Sequence, residues 1–241
     1  MRRRYSAGLW SLALLAFSCL LSHAEPGRPG GRTLQYRVTS HGLDVGEMKT
    51  VLSLAPRGGS RAVRFESDLA VKANLLLYKV NSRSREDAVI GDSGTLSYRR
   101  RGEENGNRHE VDADYENGVF RFKLRENGTN RSVLVPRSGY DFTTMDCPET
   151  TLLKEGDSME IRLLDLEHAR VVRRRYHWRS TEEMEVGGRR LTCRVIDFSD
   201  PDNSCRRWIS SERGVIIVRQ DGKGKGGSYS LRMVSVQEAP A

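Results

Sequence analysis

Beyond residue 21 the sequence has no long apolar run. A bilayer-spanning helix needs about 20 consecutive apolar residues, so the bulk of the chain carries no such segment. Histidine is scarce, at five in 241 residues. His41, His109, His168 and His177 show no metal-ligand spacing among themselves or with the cysteines, so neither a metal nor any other cofactor is expected. Cysteine is scarce too, at four. Setting aside Cys19, the odd set Cys147, Cys193 and Cys205 allows one disulfide with a spare thiol, or none. Cys193 and Cys205 are nearest in sequence. A hairpin turning at Asp200-Pro201-Asp202 sets Cys205 opposite about residue 199, which separates the two sulfurs by roughly 20 Å. The pairing therefore stays open. A segregated basic face is also missing, because acids are interleaved with the arginines throughout, and this argues against a nucleic-acid protein.

What is present begins with arginines at residues 2–4, an apolar run from Ala7 to Leu21, and Ser22-His23-Ala24 before Glu25. A basic start, a short apolar stretch and a small-x-small site describe a secretory signal peptide over residues 1–24. The run is interrupted by Trp10, Ser11, Ser18 and Cys19, which disfavours an anchor. Cys19 follows Ala16-Phe17-Ser18, a poor match to a lipidation site. The expected location is the periplasm or the secreted fraction. Three arginines leave with the leader, so the formal net charge falls from +8 to +5. Residues 25–32, rich in glycine and proline, form a flexible lead-in. Residues 33–241 suffice for one domain that buries about 70% of its unfolded surface.

Period-two patterning recurs along that domain. Leu34, Tyr36 and Val38 alternate with Gln35 and Arg37, and Met48, Thr50, Leu52 and Leu54 share one parity. Phe120, Phe122 and Leu124 alternate with Arg121, Lys123 and Arg125, and Met159, Ile161 and Leu163 with Glu160 and Arg162. Successive strand side chains point to opposite faces, so each set buries one face and wets the other. Turn signals separate the strands: Arg57-Gly58-Gly59-Ser60, Asn105-Gly106, Asn117-Gly118, Asn127-Gly128 and Gly187-Gly188. The pattern predicts an all-β fold, a single antiparallel meander curled into a curved sheet or partly closed barrel. One short helix is expected over residues 147–154, with Asp146 and Glu149 as a reciprocal cap, Pro148 in the first turn and Gly156 as the stop.

Several motifs resemble chemistry without its context. Gly91-Asp92-Ser93-Gly94 spells the tetrapeptide around a trypsin-like nucleophile, but only His41 precedes Ser93 in the mature chain, and a turn explains the same residues. The glycines and lysines of residues 222–227 lack P-loop spacing. Asp112, Asp114 and Glu116 open like a calcium loop, but Asn117 and Lys123 stand where glycine and a bidentate acid are needed. Cys147, at the start of the expected helix, would gain thiolate character from the helix end. Arg99-Arg100-Arg101 and Arg173-Arg174-Arg175 lie on strands, so their side chains divide between two faces.

Leu34-Gln35-Tyr36-Arg37-Val38, Gly42-Leu43-Asp44-Val45-Gly46-Glu47-Met48, Tyr140-Asp141-Phe142 and Trp208 with Gly214-Val215-Ile216 carry a resemblance. On these residues the chain resembles uncharacterised exported bacterial all-β proteins of domain-of-unknown-function families. More distantly it resembles the periplasmic lipoprotein-carrier folds. The resemblance implies an envelope location and a curved antiparallel sheet, and it implies no activity. The resulting expectation is a non-catalytic envelope protein that binds an apolar or acyl ligand, or a protein partner, in its concave face. Phe120, Phe122, Leu124, Met159, Ile161 and Leu163 are the ligand-lining candidates. The alternative is a secreted hydrolase using Ser93 or Cys147.

Overall fold

The computed structural model describes residues 31–55, 62–75, 78–212, 214–224 and 227–238. The expected signal peptide, most of the lead-in and the turn at Arg57-Gly58-Gly59-Ser60 lie outside the described residues. Eight strands run in order through the first half: β1 (Arg32–Ser40), β2 (Leu43–Ala55), β3 (Ala62–Leu75), β4 (Tyr78–Gly91), β5 (Gly94–Glu104), β6 (Asn107–Glu116), β7 (Val119–Glu126) and β8 (Thr129–Pro136). The second half adds β9 (Phe142–Thr143), β10 (Ser158–Asp165), β11 (Arg170–Val186), β12 (Arg189–Ser199), β13 (Asn203–Ser210), β14 (Ile216–Gly224) and β15 (Gly227–Glu238). All fifteen belong to one sheet, ordered from β8 back through β1, then β15 down to β9. The β9–β10 pair is parallel, through Phe142 with Leu163 and Thr143 with Leu164; the others are antiparallel.

Local chemistry explains the hairpins. At Asn117-Gly118 both residues have positive φ, 51° and 78°, which is the two-residue turn whose twist matches the flanking strands. Asn105-Gly106, Asn127-Gly128 and Gly187-Gly188 have the same signs. Inward parity matches the alternation: Leu34, Tyr36 and Val38 are buried, as are Met48, Thr50 and Leu52. Leu54, at the end of its strand, is exposed.

The strand order also dictates the overall shape. β8 and β9 occupy opposite ends of the sheet yet are consecutive in the chain. Laid flat, fifteen strands would span about 65 Å, whereas five linking residues reach at most about 18 Å. The sheet must therefore roll until its ends meet. Arg137 N donates to Gly118 O at 2.8 Å, and Tyr140 packs on Phe120 with ring centroids 6.1 Å apart. Thr143 Oγ1 then lies 2.7 Å from Thr95 Oγ1 on β5. At the opposite end of these strands, Arg131 donates to His168 O at 3.2 Å and Arg100 pairs with Glu167 at 3.2 Å. The β9–β10 end thus tucks against β5–β8 instead of pairing with the β8 edge. The result is a rolled sheet that is not closed into a barrel.

The expected helix over 147–154 is absent. Its place is taken by a three-ten turn, Pro148–Thr151, and Cys147 makes no side-chain cap. The reason is competition for the two carboxylates. Asp146 accepts from Thr143 N at 2.7 Å and from Thr95 Oγ1 at 3.1 Å, and Glu149 is taken by Arg207. With both capping groups spent on long-range partners, so short a segment has little to nucleate an α-helix.

Candidate functional site

The inner side of the rolled sheet is one continuous apolar cluster, and the charges that enter it are paired. Arg207 lies on the inward parity of β13 between Cys205 and Ile209. Its Nη1 donates to Glu149 Oε1 at 2.6 Å and its Nε to Gln220 Oε1 at 2.8 Å. The Gln220 amide donates to the Tyr229 hydroxyl at 2.6 Å, and that oxygen lies 3.8 Å from Cys205 Sγ. Burial works against the charge on Arg207, but Glu149 leads the neighbours that keep its pKa above the ordinary value. The second carboxylate oxygen of Glu149 is buried without a hydrogen-bond partner. Beside this chain, Tyr176 stacks on Phe198 at 5.4 Å. The guanidiniums of Arg174 and Arg207 lie 5.1 and 4.8 Å from the same ring. Arg174 closes on Asp200 at 2.6 Å.

A second buried group links the overlapping ends of the sheet. Arg100 meets Glu86 at 2.5 Å, and Tyr98 donates to the same carboxylate at 3.2 Å. Burial pushes the pKa of Glu86 up against the pull of Arg100. The two arginine triples divide by parity. Arg100 and Arg174 point inward, while Arg99 and Arg101 meet Asp114 and Asp112 at 2.7 Å, and Arg175 meets Glu160 at 2.5 Å. These pairings leave Asp112 and Asp114 on a charged strand face, where a calcium loop is not formed.

The structure gathers the six ligand-lining candidates into the same apolar cluster. Phe120, Phe122, Ile161 and Leu163 are buried there, and Leu124 and Met159 are half-buried against it. Phe120 packs on Tyr115 and Phe122 with centroids 5.3 and 5.7 Å apart. The two sets come from β7 and β10, so it is the rolling of the sheet that unites them.

Ser93 is exposed in the turn joining β4 to β5. The described histidines each engage other groups: His41 with Ser40 at 3.1 Å, His109 with Glu126 at 3.7 Å, His168 with Asp165 at 2.8 Å and His177 with Ser158 at 2.9 Å. Cys147 is buried in the turn before β10, and the four-residue three-ten turn removes the helix end that was expected to activate it. Cys147, Cys193 and Cys205 are free thiols. Cys205 pairs with Phe198 across the β12–β13 ladder, so Cys193 sits five residues further along β12 and on the opposite parity. Burial pushes the Cys193 thiol up to about 12.

Sequence reasoning missed the chain Glu149–Arg207–Gln220–Tyr229. One signal was available, since Arg100, Arg174 and Arg207 all stand at inward positions of alternating strands, where an arginine requires a buried partner.

Fold and interior together define a barrel-like, nearly all-β protein built on one open sheet. The fold is similar to that in the crystal structure of a β-barrel-like protein of Domain of Unknown Function DUF1849 from Brucella abortus. The TM-score is 0.59 at 11% identity, covering 89% of this chain and 100% of that chain. At that identity the likeness is one of fold. No protein-family model and no curated protein matches the sequence. Among the described residues, no helix is long and apolar enough to cross a membrane.

Proposed function

We propose that the chain is an exported, non-catalytic cell-envelope protein that holds an apolar or acyl ligand against the concave face of its sheet. One observation carries this reading: the sheet rolls around a continuous apolar cluster whose buried charges are neutralised in pairs. Such an interior suits binding rather than bond cleavage. The four described histidines contact Ser40, Glu126, Asp165 and Ser158, and none of these partners is Ser93. Phe120, Phe122, Leu124, Met159, Ile161 and Leu163 supply the apolar wall. The segment from Met145 to Leu152 plugs that interior, with Met145, Cys147, Glu149 and Leu152 buried. A ligand entering from this side must displace the plug and separate its Glu149 from Arg207.

Native mass spectrometry of gently purified protein, with competition by long-chain acyl compounds, tests the reading. A co-purifying apolar mass that such compounds displace supports it. An interior with no bound mass and no competition leaves a protein-binding role instead. Export is tested separately by N-terminal sequencing, with Glu25 as the expected first residue of protein recovered from the periplasmic or secreted fraction.

A further inference from the structure

At the end of the sheet where β1 begins and β15 finishes, the β11–β12 hairpin leans across the ends of β13 and β14. Its bend follows the irregular register between Trp178 and Ser180. Two contacts latch it. Trp208 Nε1 donates to Glu182 at 2.8 Å, and Thr192 N donates to Glu212 at 2.8 Å. A side-chain carbon on Gly187, at the hairpin tip, would stand 4.0 Å from Val234 O on β15, a strand three places away in the sheet order.

Between this arm and the ends of β1, β14 and β15 lies a cleft of about 640 Å3. Val186, Leu191, Ile216 and Val236 line it with apolar surface. Arg189 and Arg190, both exposed, follow the hairpin tip on β12: Arg189, paired with Val186, stands on the cleft face, and Arg190, paired with Glu185, stands on the opposite face. Neither guanidinium has a hydrogen bond or ion pair among the described residues, unlike the interior arginines. Of the acids at the same cleft, Glu212 is engaged by Thr192 N, and Glu238 stands opposite Arg32 in the β1–β15 register. The cleft therefore combines an apolar floor with one uncommitted cation, Arg189, at its rim.

We propose that this cleft binds a monomeric long-chain carboxylate, with its tail on the apolar floor and its head on the guanidinium of Arg189. The inference rests on the acyl-binding reading above and gives it a second, separately testable location. The volume falls in the range of about 300–1,000 Å3 typical of small-molecule sites. It suits one chain better than a two-chain phospholipid. A planar carboxylate matches the guanidinium fork through paired, charge-assisted hydrogen bonds.

The test is a fluorescence titration of the purified full chain with 11-(dansylamino)undecanoic acid, its methyl ester, and phosphatidylglycerol vesicles. Saturable binding of the acid is expected, weakened about tenfold or more both by R189Q and by esterification, and unaffected by R190Q. Because Arg189 is exposed, R189Q should keep the wild-type circular dichroism and urea midpoint. Acid binding that is unchanged in R189Q overturns the cleft site and leaves the interior acyl site standing. Arginine-dependent binding to vesicles without binding of the monomeric acid overturns the ligand class in favour of a membrane surface. Failure of both acid and ester to bind overturns the cleft and the acyl-binding reading together.

Discussion

Glu149 and Arg207, 58 residues apart in the chain, meet at 2.6 Å inside the rolled sheet, the carboxylate fully buried and the guanidinium side chain 5% exposed. This pair anchors the turn before β10 to β13, on the far side of β11 and β12 in the sheet order. It does so where water cannot compensate either charge.

Removing one partner should therefore be more harmful than removing both. Glu149→Ala leaves a buried arginine uncompensated, a change of about 3–5 kcal/mol in typical buried pairs. Combining it with Arg207→Met should recover part of that loss. Urea unfolding of the two single variants and the double variant measures the coupling, and strictly additive losses would show that the pair contributes no mutual stabilisation.

The His168–Asp165 contact gives a pH dependence of definite sign. Burial alone would raise Asp165 and lower His168. The hydrogen bond between them and their mutual charge, aided for Asp165 by Arg170, reverse both shifts. The raised His168 contributes stability that is complete below its ordinary value of 6.5 and is lost as pH rises through its folded value. The lowered Asp165 contributes stability that is present above 3.8 and is lost as pH falls through its folded value. The pair is fully effective between those values. Urea midpoints at pH 5.5 and 8.5 should differ less in His168→Gln than in wild type, and an undiminished difference would assign the dependence to other groups.

Two glycines should resist replacement for steric reasons. A Cβ at Gly46 would stand 2.1 Å from Ala70 O, a backbone atom that cannot swing aside. A Cβ at Gly222 would stand 2.2 Å from the Tyr229 ring, which is tied to Gln220 at 2.6 Å. Overpacking of this kind typically costs about 1–3 kcal/mol. Thermal unfolding should place Gly46→Ala below Gly222→Ala, because the ring has some freedom and the backbone has none. The reverse order would mean that the Tyr229–Gln220 link matters more than the strand approach.

Ser93 should be dispensable. It is exposed in a turn, and a change at such a site normally stays within about 0.5 kcal/mol. Ser93→Ala should keep the wild-type unfolding midpoint, and a fluorophosphonate probe should label neither protein. Labelling of wild type that disappears in the variant would restore the hydrolase reading.

The strands were legible because their cause is local. Period-two alternation and the positive φ of Asn-Gly turns depend on neighbours within a few residues, so Phe120 and Phe122 declared their face before any fold was known. The short helix misled for the complementary reason. Asp146 and Glu149 have capping spacing, but their carboxylates found Thr95 and Arg207, more than fifty residues away in each case.

What the sequence by itself determined, then, is a series of antiparallel hairpins with one wet and one dry face each. Tertiary structure alone decided that β8 and β9, joined by five residues at opposite ends of the sheet, roll it up. It also decided that Arg100, Arg174 and Arg207 find acids inside, and that the β11–β12 arm folds over to leave a cleft. Those outcomes depend on which distant charges and apolar surfaces meet once the sheet curls. Pairwise distances across a rolled sheet are set by strand order and twist, which no local pattern of residues encodes.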